Sequence, residues 1–220
     1  MMMRFGNRTE AGQHLAKRLK AYANRSDVLV LALPRGGVPV GYEIAQALNA
    51  PLDVFVVRKL GVPGREELAM GAIASGGARV LNREVVDSLG ISADTIAAVA
   101  AQELQELERR ERAYRGDRPA PDVRGRTVIL VDDGIATGST MRVAIEALRQ
   151  LKAGRIMVAT PTAALSTVRE MRLDVDELVT VMTPADFESV GQWYLDFSQT
   201  TDVEVCEMLD KASQFPSPTP

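Results

Sequence analysis

The chain has 220 residues, of which 46% are hydrophobic and 25% are charged, and its formal net charge is −3. This composition predicts one domain with a substantial core and excludes a disordered protein. It also excludes a non-specific nucleic-acid binder, because such binding needs a positive field over the surface. The chain contains a single cysteine, Cys206, and no apolar run of membrane length, so we expect a protein of the reducing cytoplasm.

The first elements are a helix, a strand and a glycine-containing turn. Residues 9–24 carry apolar side chains at helical spacing, with Asn7 or Thr9 as the cap. Residues 28–33 are an uninterrupted apolar run, which predicts a buried strand. The turn 34–37 follows this strand and leads into a second helix. Because ligands bind at the carboxyl edge of an open parallel sheet, this turn is a candidate binding loop, and an ordinary tight turn is the alternative.

A second β-branched run, residues 52–57, predicts a strand that ends in Arg58 and Lys59. Two adjacent cations in this position are either solvated or part of an anion site. The next segment, 61–71, is polar and punctuated by glycine, which is typical of a mobile lid loop. The glycine pair 76–77 then separates two short apolar runs, which predicts a hairpin.

Residues 92–115 predict a long helix with an apolar stripe on one side and a dense run of charges on the other. Glu106 with Arg110, and Glu108 with Arg112, are i,i+4 pairs in the favourable order. We expect this charged face to be solvated.

The rest of the chain continues the alternation. Residues 155–160 predict a strand, residues 166–171 a short helix and residues 175–182 a further strand. The whole pattern predicts an α/β fold, a mostly parallel twisted sheet flanked by helices and joined by right-handed crossovers. We expect a single domain over residues 1–214 and a proline-rich, disordered tail over residues 215–220.

The most informative segment is VILVDDGIATGSTM, residues 128–141. A short uncharged strand ends in Asp132 and Asp133, and a turn of small residues leads into a helix that begins near Ser139 or Thr140. The first amides of a helix lack intrahelical partners and lie at the positive end of its dipole, so this turn suits a phosphate. The two carboxylates are placed to accept hydrogen bonds from vicinal hydroxyls or to help organise a cation.

Other interpretations of this segment fit less well. A Walker A loop needs a lysine after its last glycine, and none follows Gly138, while the GxGxxG pattern of dinucleotide-binding folds is absent. An acidic turn without a ligand would leave two adjacent carboxylates uncompensated. We therefore expect a ligand with a phosphate at one end and a diol nearby.

This segment resembles the signature of the type I phosphoribosyltransferases: a hydrophobic strand, two acids, two or three linking residues and Thr/Ser-Gly-x-Thr. The resemblance implies transfer of 5-phosphoribose from phosphoribosyl pyrophosphate (PRPP) to a nitrogenous acceptor, a nucleobase, with release of pyrophosphate. It implies that Asp132 and Asp133 bind the ribose hydroxyls of PRPP. The implied site for the 5′-phosphate consists of Ala136, Thr137, Gly138, Ser139 and Thr140.

The same resemblance implies roles for the cationic segments. The turn 34–37 is similar to the pyrophosphate loop of the family, which contains a cis peptide before a non-proline residue, here the Pro34–Arg35 bond. The implied pyrophosphate-binding residues are Arg35, Gly36, Gly37, Arg58 and Lys59. The segment 61–81 resembles the flexible loop that shields an oxocarbenium-like centre from water. The implied catalytic residues are Arg35, Arg58, Lys59 and Glu67, of which Glu67 is equally well a surface glutamate.

Residues 187–202 contain three large aromatic side chains beside acids, a pattern that is usual in a core or an interface. The segment resembles, more loosely, the hood of purine phosphoribosyltransferases, which would comprise residues 184–210 with the N-terminal segment. The resemblance implies that Phe187, Trp193 and Asp196 recognise the base. Ala136 stands where enzymes for 6-oxopurines place an aspartate, which speaks against hypoxanthine and guanine as acceptors. Adenine, pyrimidine and non-nucleobase acceptors stay open.

Mg²⁺ is the implied cofactor, held mainly through the substrate, with Asp132 and Asp133 as further candidate ligands. PRPP and a small base are the implied partners, no nucleic acid or membrane is implied, and a homodimer stays open. The charged helix 92–115 exceeds the family core and resembles the inserted helix of a bacterial subgroup. The alternative function is a PRPP-sensing regulator that keeps the fold without turnover, which the acidic chain and the lack of a helix-turn-helix segment disfavour.

Overall fold

The computed structural model describes residues 4–215, so residues 216–220 of the expected C-terminal tail lie outside the described part. The helices are α1 (Arg8–Arg18), α2 (Gly37–Leu48), α3 (Arg83–Ser88), α4 (Ala93–Arg115), α5 (Ser139–Gln150), α6 (Leu165–Met171) and α7 (Asp202–Ala212). The strands are β1 (Val28–Ala32), β2 (Leu52–Val54), β3 (Val57–Val62), β4 (Arg65–Ala74), β5 (Arg79–Leu81), β6 (Thr127–Val131), β7 (Arg155–Thr162) and β8 (Glu177–Met182).

A five-stranded parallel sheet forms the centre of the molecule, in the order β2-β1-β6-β7-β8. Leu29 and Leu130 belong to a core that includes α5 and α6, whereas Val30 and Ile129 belong to a core that includes α1 and α2. A sheet that is covered on both faces needs apolar side chains at consecutive positions, which explains the unbroken apolar runs. The predicted α/β fold with a parallel sheet flanked by helices is confirmed.

A smaller antiparallel sheet, in the order β3-β4-β5, is separate from the parallel one. The single strand predicted over residues 52–57 is wrong, because it is split between β2 and β3. Between these strands the backbone N–H of Val56 donates to Oγ of Ser75 at 2.8 Å, and the chain turns away from β1 toward β4. Arg58 and Lys59 therefore lie inside β3 and not at the carboxyl end of a parallel strand.

The segment 61–71, predicted to be a loop, is part of a hairpin formed by β3 and β4, which turns at Pro63 and Gly64. The first four residues of β4 are exposed, so their polar character reflects a solvated hairpin tip and not an irregular backbone. The register shifts on both sides of Gly61, where a side chain would overlap the backbone of β4. The hairpin predicted around the glycine pair 76–77 is confirmed by the antiparallel pairing of β4 with β5.

Helix α4 confirms the long helix predicted over residues 92–115, and it packs against β3, β4 and α7. The expectation of a fully solvated charged face is wrong at its C-terminal end. The side chain of Arg115 is buried, and its Nε donates to Oδ1 of Asp53 at 2.7 Å. Neither α4 nor any other helix within residues 4–215 is long and apolar enough to cross a membrane.

The two i,i+4 pairs predicted on α4 have different outcomes. Glu106 and Arg110 form an ion pair at 2.9 Å, and Arg109 joins the same carboxylate at 2.7 Å. Glu108 and Arg112 form no ion pair within the described length of this helix. The preceding short helix, α3, was not predicted.

The N-terminal segment pairs with the segment that follows β8. The backbone N–H of Phe5 donates to the carbonyl of Trp193 at 2.9 Å, and that of Leu195 donates to the carbonyl of Phe5 at 2.8 Å. Phe5 and Trp193 are buried in one small cluster with Ala11 and Tyr194. The N-terminal segment and the segment after β8 thus share an aromatic core, and the hood boundaries 184–210 stay a prediction.

Candidate active site

The candidate site lies where β1 and β6 end side by side, with Ala32 opposite Val131. The turns that follow these two strands are packed against each other. A Cβ at Gly36 would overlap the carboxylate of Asp133, and one at Gly37 would lie 2.7 Å from the carbonyl oxygen of Val131. Glycine at these two positions therefore lets the backbone of one turn approach the acids of the other.

The turn after β1 has the backbone geometry that the resemblance to the pyrophosphate loop implies. The peptide bond between Pro34 and Arg35 is cis, and the backbone N–H of Gly37 donates to the carbonyl of Leu33 at 3.0 Å. These contacts fix the turn at the carboxyl edge of the sheet, next to the two acids.

The side chain of Arg35 faces a cavity of about 400 Å³ between this turn, α4 and the start of α7. Arg109 and Arg110 of α4 line the same cavity, and Nη1 of Arg35 lies 3.9 Å from Oδ1 of Asp202. Burial raises the pKa of Tyr114, which also lines the cavity, to about 12, and its hydrogen bond to Asp202 adds to the shift. The sequence gives no local signal that α4 contributes cations beside Arg35.

The turn after β6 forms a second cavity of about 230 Å³, lined by Asp132, residues 134–141 and Val190. Helix α5 begins at Ser139, which confirms the predicted helix start. Gly138 has a φ of 75°, and a Cβ there would lie 2.7 Å from the side chain of Met171. Glycine is therefore required by both conformation and space.

The polar groups of this turn include hydroxyls and backbone amides. The hydroxyls of Thr137 and Ser139 share a hydrogen bond at 2.9 Å, and Oγ1 of Thr167 donates to the carbonyl oxygen of Ala136 at 2.5 Å. Thr140 lines the cavity at the first turn of α5. Hydroxyl donors and unpaired amides at a helix N-terminus together suit a phosphate group.

The two acids have different environments. Asp132 lines the cavity of the phosphate turn, and its Oδ1 accepts from the backbone N–H of Asp133 at 2.8 Å. Oδ2 of Asp133 accepts from Nε of Arg8 at 2.7 Å. Burial raises the pKa of both carboxyls, the negative charge of Asp133 raises that of Asp132 further, and Arg8 opposes the shift at Asp133.

Arg58 and Lys59, referred to below as the lid cations, line a different cavity of about 510 Å³ between the β3–β4 hairpin and α4. Nη2 of Arg58 lies 2.6 Å from Oε2 of Glu103, and Nζ of Lys59 lies 3.8 Å from Oε2 of Glu67. The side chain of Glu67 is fully exposed. In this conformation neither Arg58 nor Lys59 lines the cavities of the two turns.

The residues predicted to recognise a base are only partly available. Trp193 is 2% exposed and packs in the core, so the structure does not leave its face free to stack on a ligand. The ring of Phe187 stacks on Trp193 with 6.2 Å between centroids. Asp196 is exposed, and a hydrogen bond from the backbone N–H of Ser198 lowers its pKa.

Two residues that sequence reasoning missed reach the site from α1 and from the segment after β8. Arg8 contacts Asp133 from α1, and Tyr194 donates from its hydroxyl to the carbonyl oxygen of Asp133 at 2.5 Å. Both contacts join positions far apart in the sequence, so no local pattern signals them.

The carboxylates beside the phosphate turn are the candidate ligands for a cation. Within residues 4–215 no group of three or more His, Cys, Asp or Glu side chains is arranged to bind a metal ion. Asp132 and Asp133 are the acids nearest to the phosphate turn, and one oxygen of Asp133 already accepts from Arg8.

Residues 6–197 match the family model described as the phosphoribosyl transferase domain. The chain belongs to this family. Its type I signature and its parallel sheet agree with that assignment, and the resemblance inferred from residues 128–141 is confirmed. Phosphoribosyltransferases of this family generally use Mg²⁺ with PRPP.

Three relatives of this phosphoribosyltransferase domain illustrate its range. A Mycobacterium tuberculosis protein (strain H37Rv), provisionally named a phosphoribosyl transferase, is 46% identical over 211 residues, 96% of this chain and 47% of that protein. The chain thus spans about half the length of the curated relatives it matches. The crystal structure of TT1426 from Thermus thermophilus has a TM-score of 0.83 and 39% identity, covering 95% of this chain and 99% of that one. The ribose-phosphate pyrophosphokinase of Methanopyrus kandleri is 43% identical over 74 residues, 32% of this chain and 25% of that protein.

Proposed function

We propose that this domain transfers 5-phosphoribose from PRPP to a nitrogen atom of a small base and releases pyrophosphate. The observation that carries the proposal is the shared cavity of Asp132 and the turn after β6. A carboxylate and an anion-binding helix N-terminus in one cavity match a ligand that joins a diol to a phosphate.

The 5′-phosphate of PRPP would lie against the turn from Ala136 to Thr140. Thr137, Ser139 and Thr140 line this cavity, and α5 begins at Ser139. Binding the phosphate there anchors the sugar with its anomeric carbon toward the turn after β1. This anchoring contributes by orientation, because the reacting carbon is then held in one place.

The hydroxyls of the ribose would donate to Asp132 and Asp133. Both carboxyls have raised pKa values because burial disfavours their charged form, so hydroxyl donors would compensate a charge that burial leaves poorly solvated. With the acids next to the Pro34–Arg35 turn, the ribose would lie between the phosphate anchor and the leaving group.

The pyrophosphate would leave against Arg35 and the glycine amides of the turn after β1. The bond from the anomeric carbon to the pyrophosphate oxygen breaks, and a bond to the acceptor nitrogen forms. Mg²⁺ bound with PRPP would neutralise charge on the departing oxygens. Arg58 and Lys59 line a different cavity, and their side chains are 27% and 48% exposed. They would therefore reach the leaving group only when the β3–β4 hairpin moves toward it.

The acceptor would be a nucleobase other than a 6-oxopurine. Ala136 has no polar side-chain group to contact a 6-oxopurine, and Val190 adds an apolar side chain to the lining of the same cavity. Phe187 and Asp196 remain candidates for base contacts, and Trp193 acts by supporting Phe187 from the core.

The proposal is tested by measuring pyrophosphate release from PRPP and Mg²⁺ with a panel of adenine, pyrimidine and 6-oxopurine bases. We expect release with at least one base of the first two classes, and none from the Asp132→Asn, Asp133→Asn double variant. Binding of PRPP without release for any base would favour the PRPP-sensing alternative. Failure to bind PRPP would contradict both functions.

A further inference from the structure

Arg8 of α1 is held in one orientation by three groups. Its Nε donates to Oδ2 of Asp133 at 2.7 Å, and its Nη1 donates to the carbonyl oxygen of Ser198 at 2.7 Å. Its guanidinium carbon lies 4.0 Å from the centroid of the Phe197 ring. The side chain is only 12% exposed, so these contacts replace most of its hydration.

Asp133 is in turn fixed from several sides. Its Oδ2 lies against the backbone of Gly36, its carbonyl oxygen accepts from the hydroxyl of Tyr194, and its N–H donates to Asp132. Its Oδ1 accepts no hydrogen bond within the described residues, and this oxygen is not fully buried. One carboxylate oxygen is thus engaged by Arg8, and the other is open to a ligand.

We propose that Arg8 is a positioning residue for the sugar site, an inference that rests on the proposed function. Arg8 holds Asp133 by one oxygen and thereby presents the other oxygen to a ribose hydroxyl. The N-terminal helix and the segment around Phe197 therefore complete the ribose site, although neither belongs to the two turns that form it.

Arginine suits this position better than lysine. The planar guanidinium donates in two directions while its face packs on an aromatic ring, whereas an ammonium group supplies charge without that fixed geometry. Arg8→Lys is therefore expected to restore part of the loss caused by Arg8→Met, which keeps the length of the side chain and removes all its donors.

The test compares ligands with and without a diol, using calorimetry on the full chain. We expect Arg8→Met to weaken Mg²⁺–PRPP and ribose 5-phosphate by about 10- to 100-fold, the range for losing a charge-assisted hydrogen bond. Inorganic phosphate should bind almost unchanged, because it does not use Asp133. In the Asp133→Asn background, Arg8→Met should have little further effect.

Arg18→Met is the matched control. Arg18 lies on the same helix and also donates to backbone carbonyls, those of Thr180 at 2.8 Å and Val181 at 3.2 Å. Its replacement should leave the affinity for all three ligands unchanged. If Arg8→Met reduces stability, the comparison of Arg8→Lys with wild type at a temperature where both are folded gives the same test.

The outcomes separate this inference from the proposed function. Wild-type affinity of Arg8→Met for ribose 5-phosphate and PRPP, with normal binding by the wild type, would overturn the role of Arg8 alone. Equal losses for inorganic phosphate and for the sugar ligands would also overturn it, because they indicate a general structural effect. Absence of sugar-phosphate binding by the wild type would overturn both proposals.

Discussion

The two turns at the sheet edge and the lid hairpin with α4 are built differently. The turns are fixed by their backbones: Gly138 has a positive φ, and Gly36 and Gly37 pack closely against Asp133 and Val131. The lid cations are held by side-chain ion pairs, such as that of Arg58 with Glu103. The turns are therefore ready to accept a phosphate, whereas the lid cations have to exchange partners first.

We propose that the two regions act at different steps. Backbone amides that are already oriented bind an anion without reorganisation, so the turns suit the first recognition of PRPP. Partly exposed ion pairs contribute only about 0.2–1 kcal/mol, so exchanging Glu103 for pyrophosphate costs little. Helix α4 then acts as the partner of the lid in the absence of ligand.

The largest expected effect is the loss of PRPP affinity when the two acids after β6 are replaced. Replacing both Asp132 and Asp133 by Asn should weaken PRPP about 100-fold or more, because each lost charge-assisted hydrogen bond contributes about 1.5–3 kcal/mol. The melting temperature at pH 7.5 should not fall, since both carboxyls are costly to keep charged in the fold. Titration calorimetry and thermal melts measure the two quantities, and unchanged affinity would refute the ribose assignment.

A smaller loss is expected when only the shape of the phosphate turn changes. Gly138→Ala should weaken inorganic phosphate and PRPP by about 10-fold or more, because the new Cβ would lie 2.7 Å from Met171 and 2.9 Å from Thr167. Gly77→Ala is the matched control, since Gly77 has a φ of 76° but no atom within 4 Å of the added Cβ. Similar affinities for the two variants would show that the close packing of the turn is unimportant.

A change beside the β3–β4 hairpin should strengthen ligand binding and not weaken it. Glu103→Gln removes the ionic partner of Arg58, so we expect inorganic pyrophosphate with Mg²⁺ to bind about 2- to 5-fold more tightly, in line with the strength of a partly exposed pair. Glu108→Gln makes the same change of charge on α4 at a position without an ion pair. Equal effects of the two variants would indicate a general field and not release of Arg58.

The last expected effect concerns the pH dependence of stability and not binding. The pKa of Asp132 in the folded chain lies above its unfolded value of about 3.9. Between these two pKa values the folded chain binds more protons than the unfolded chain, so its free energy of unfolding falls as pH rises. Asn has no proton to lose, so the stability of Asp132→Asn relative to wild type should increase from pH 4 to pH 8, by about 1.4 kcal/mol for each unit of pKa shift. Urea unfolding at several pH values checks the sign, and a constant difference would contradict it.

The parts of the site that follow from the sequence are local. The acids, the turn and the start of α5 lie within residues 128–141, and their order along the chain fixes their order in space. The turn 34–37 was predictable for the same reason, because β1 is a continuous apolar run that must end at the sheet edge.

The parts that were missed depend on contacts between distant segments. Arg8 and Asp133 are 125 positions apart in the sequence. The N-terminal segment that carries Arg8 is held near the site by its pairing with residues 193–195. The lid was predicted to be a loop because its polar residues carry no burial pattern, yet β3 pairs with β4 through the backbone. The resemblance to the purine hood implied that Trp193 contacts a base, but Trp193 is buried, as the usual role of such aromatic clusters in a core would have it.

Calorimetric titration of the full chain with PRPP in the presence of Mg²⁺ is the decisive experiment for the two turns as a sugar-phosphate site. We predict one site per chain and a thermal stabilisation that grows with ligand, about 2.7 kcal/mol at a free concentration 100 times the Kd. The same titration of the Asp132→Asn, Asp133→Asn variant should show neither effect. No heat and no stabilisation with the wild-type chain would contradict the proposed binding of PRPP.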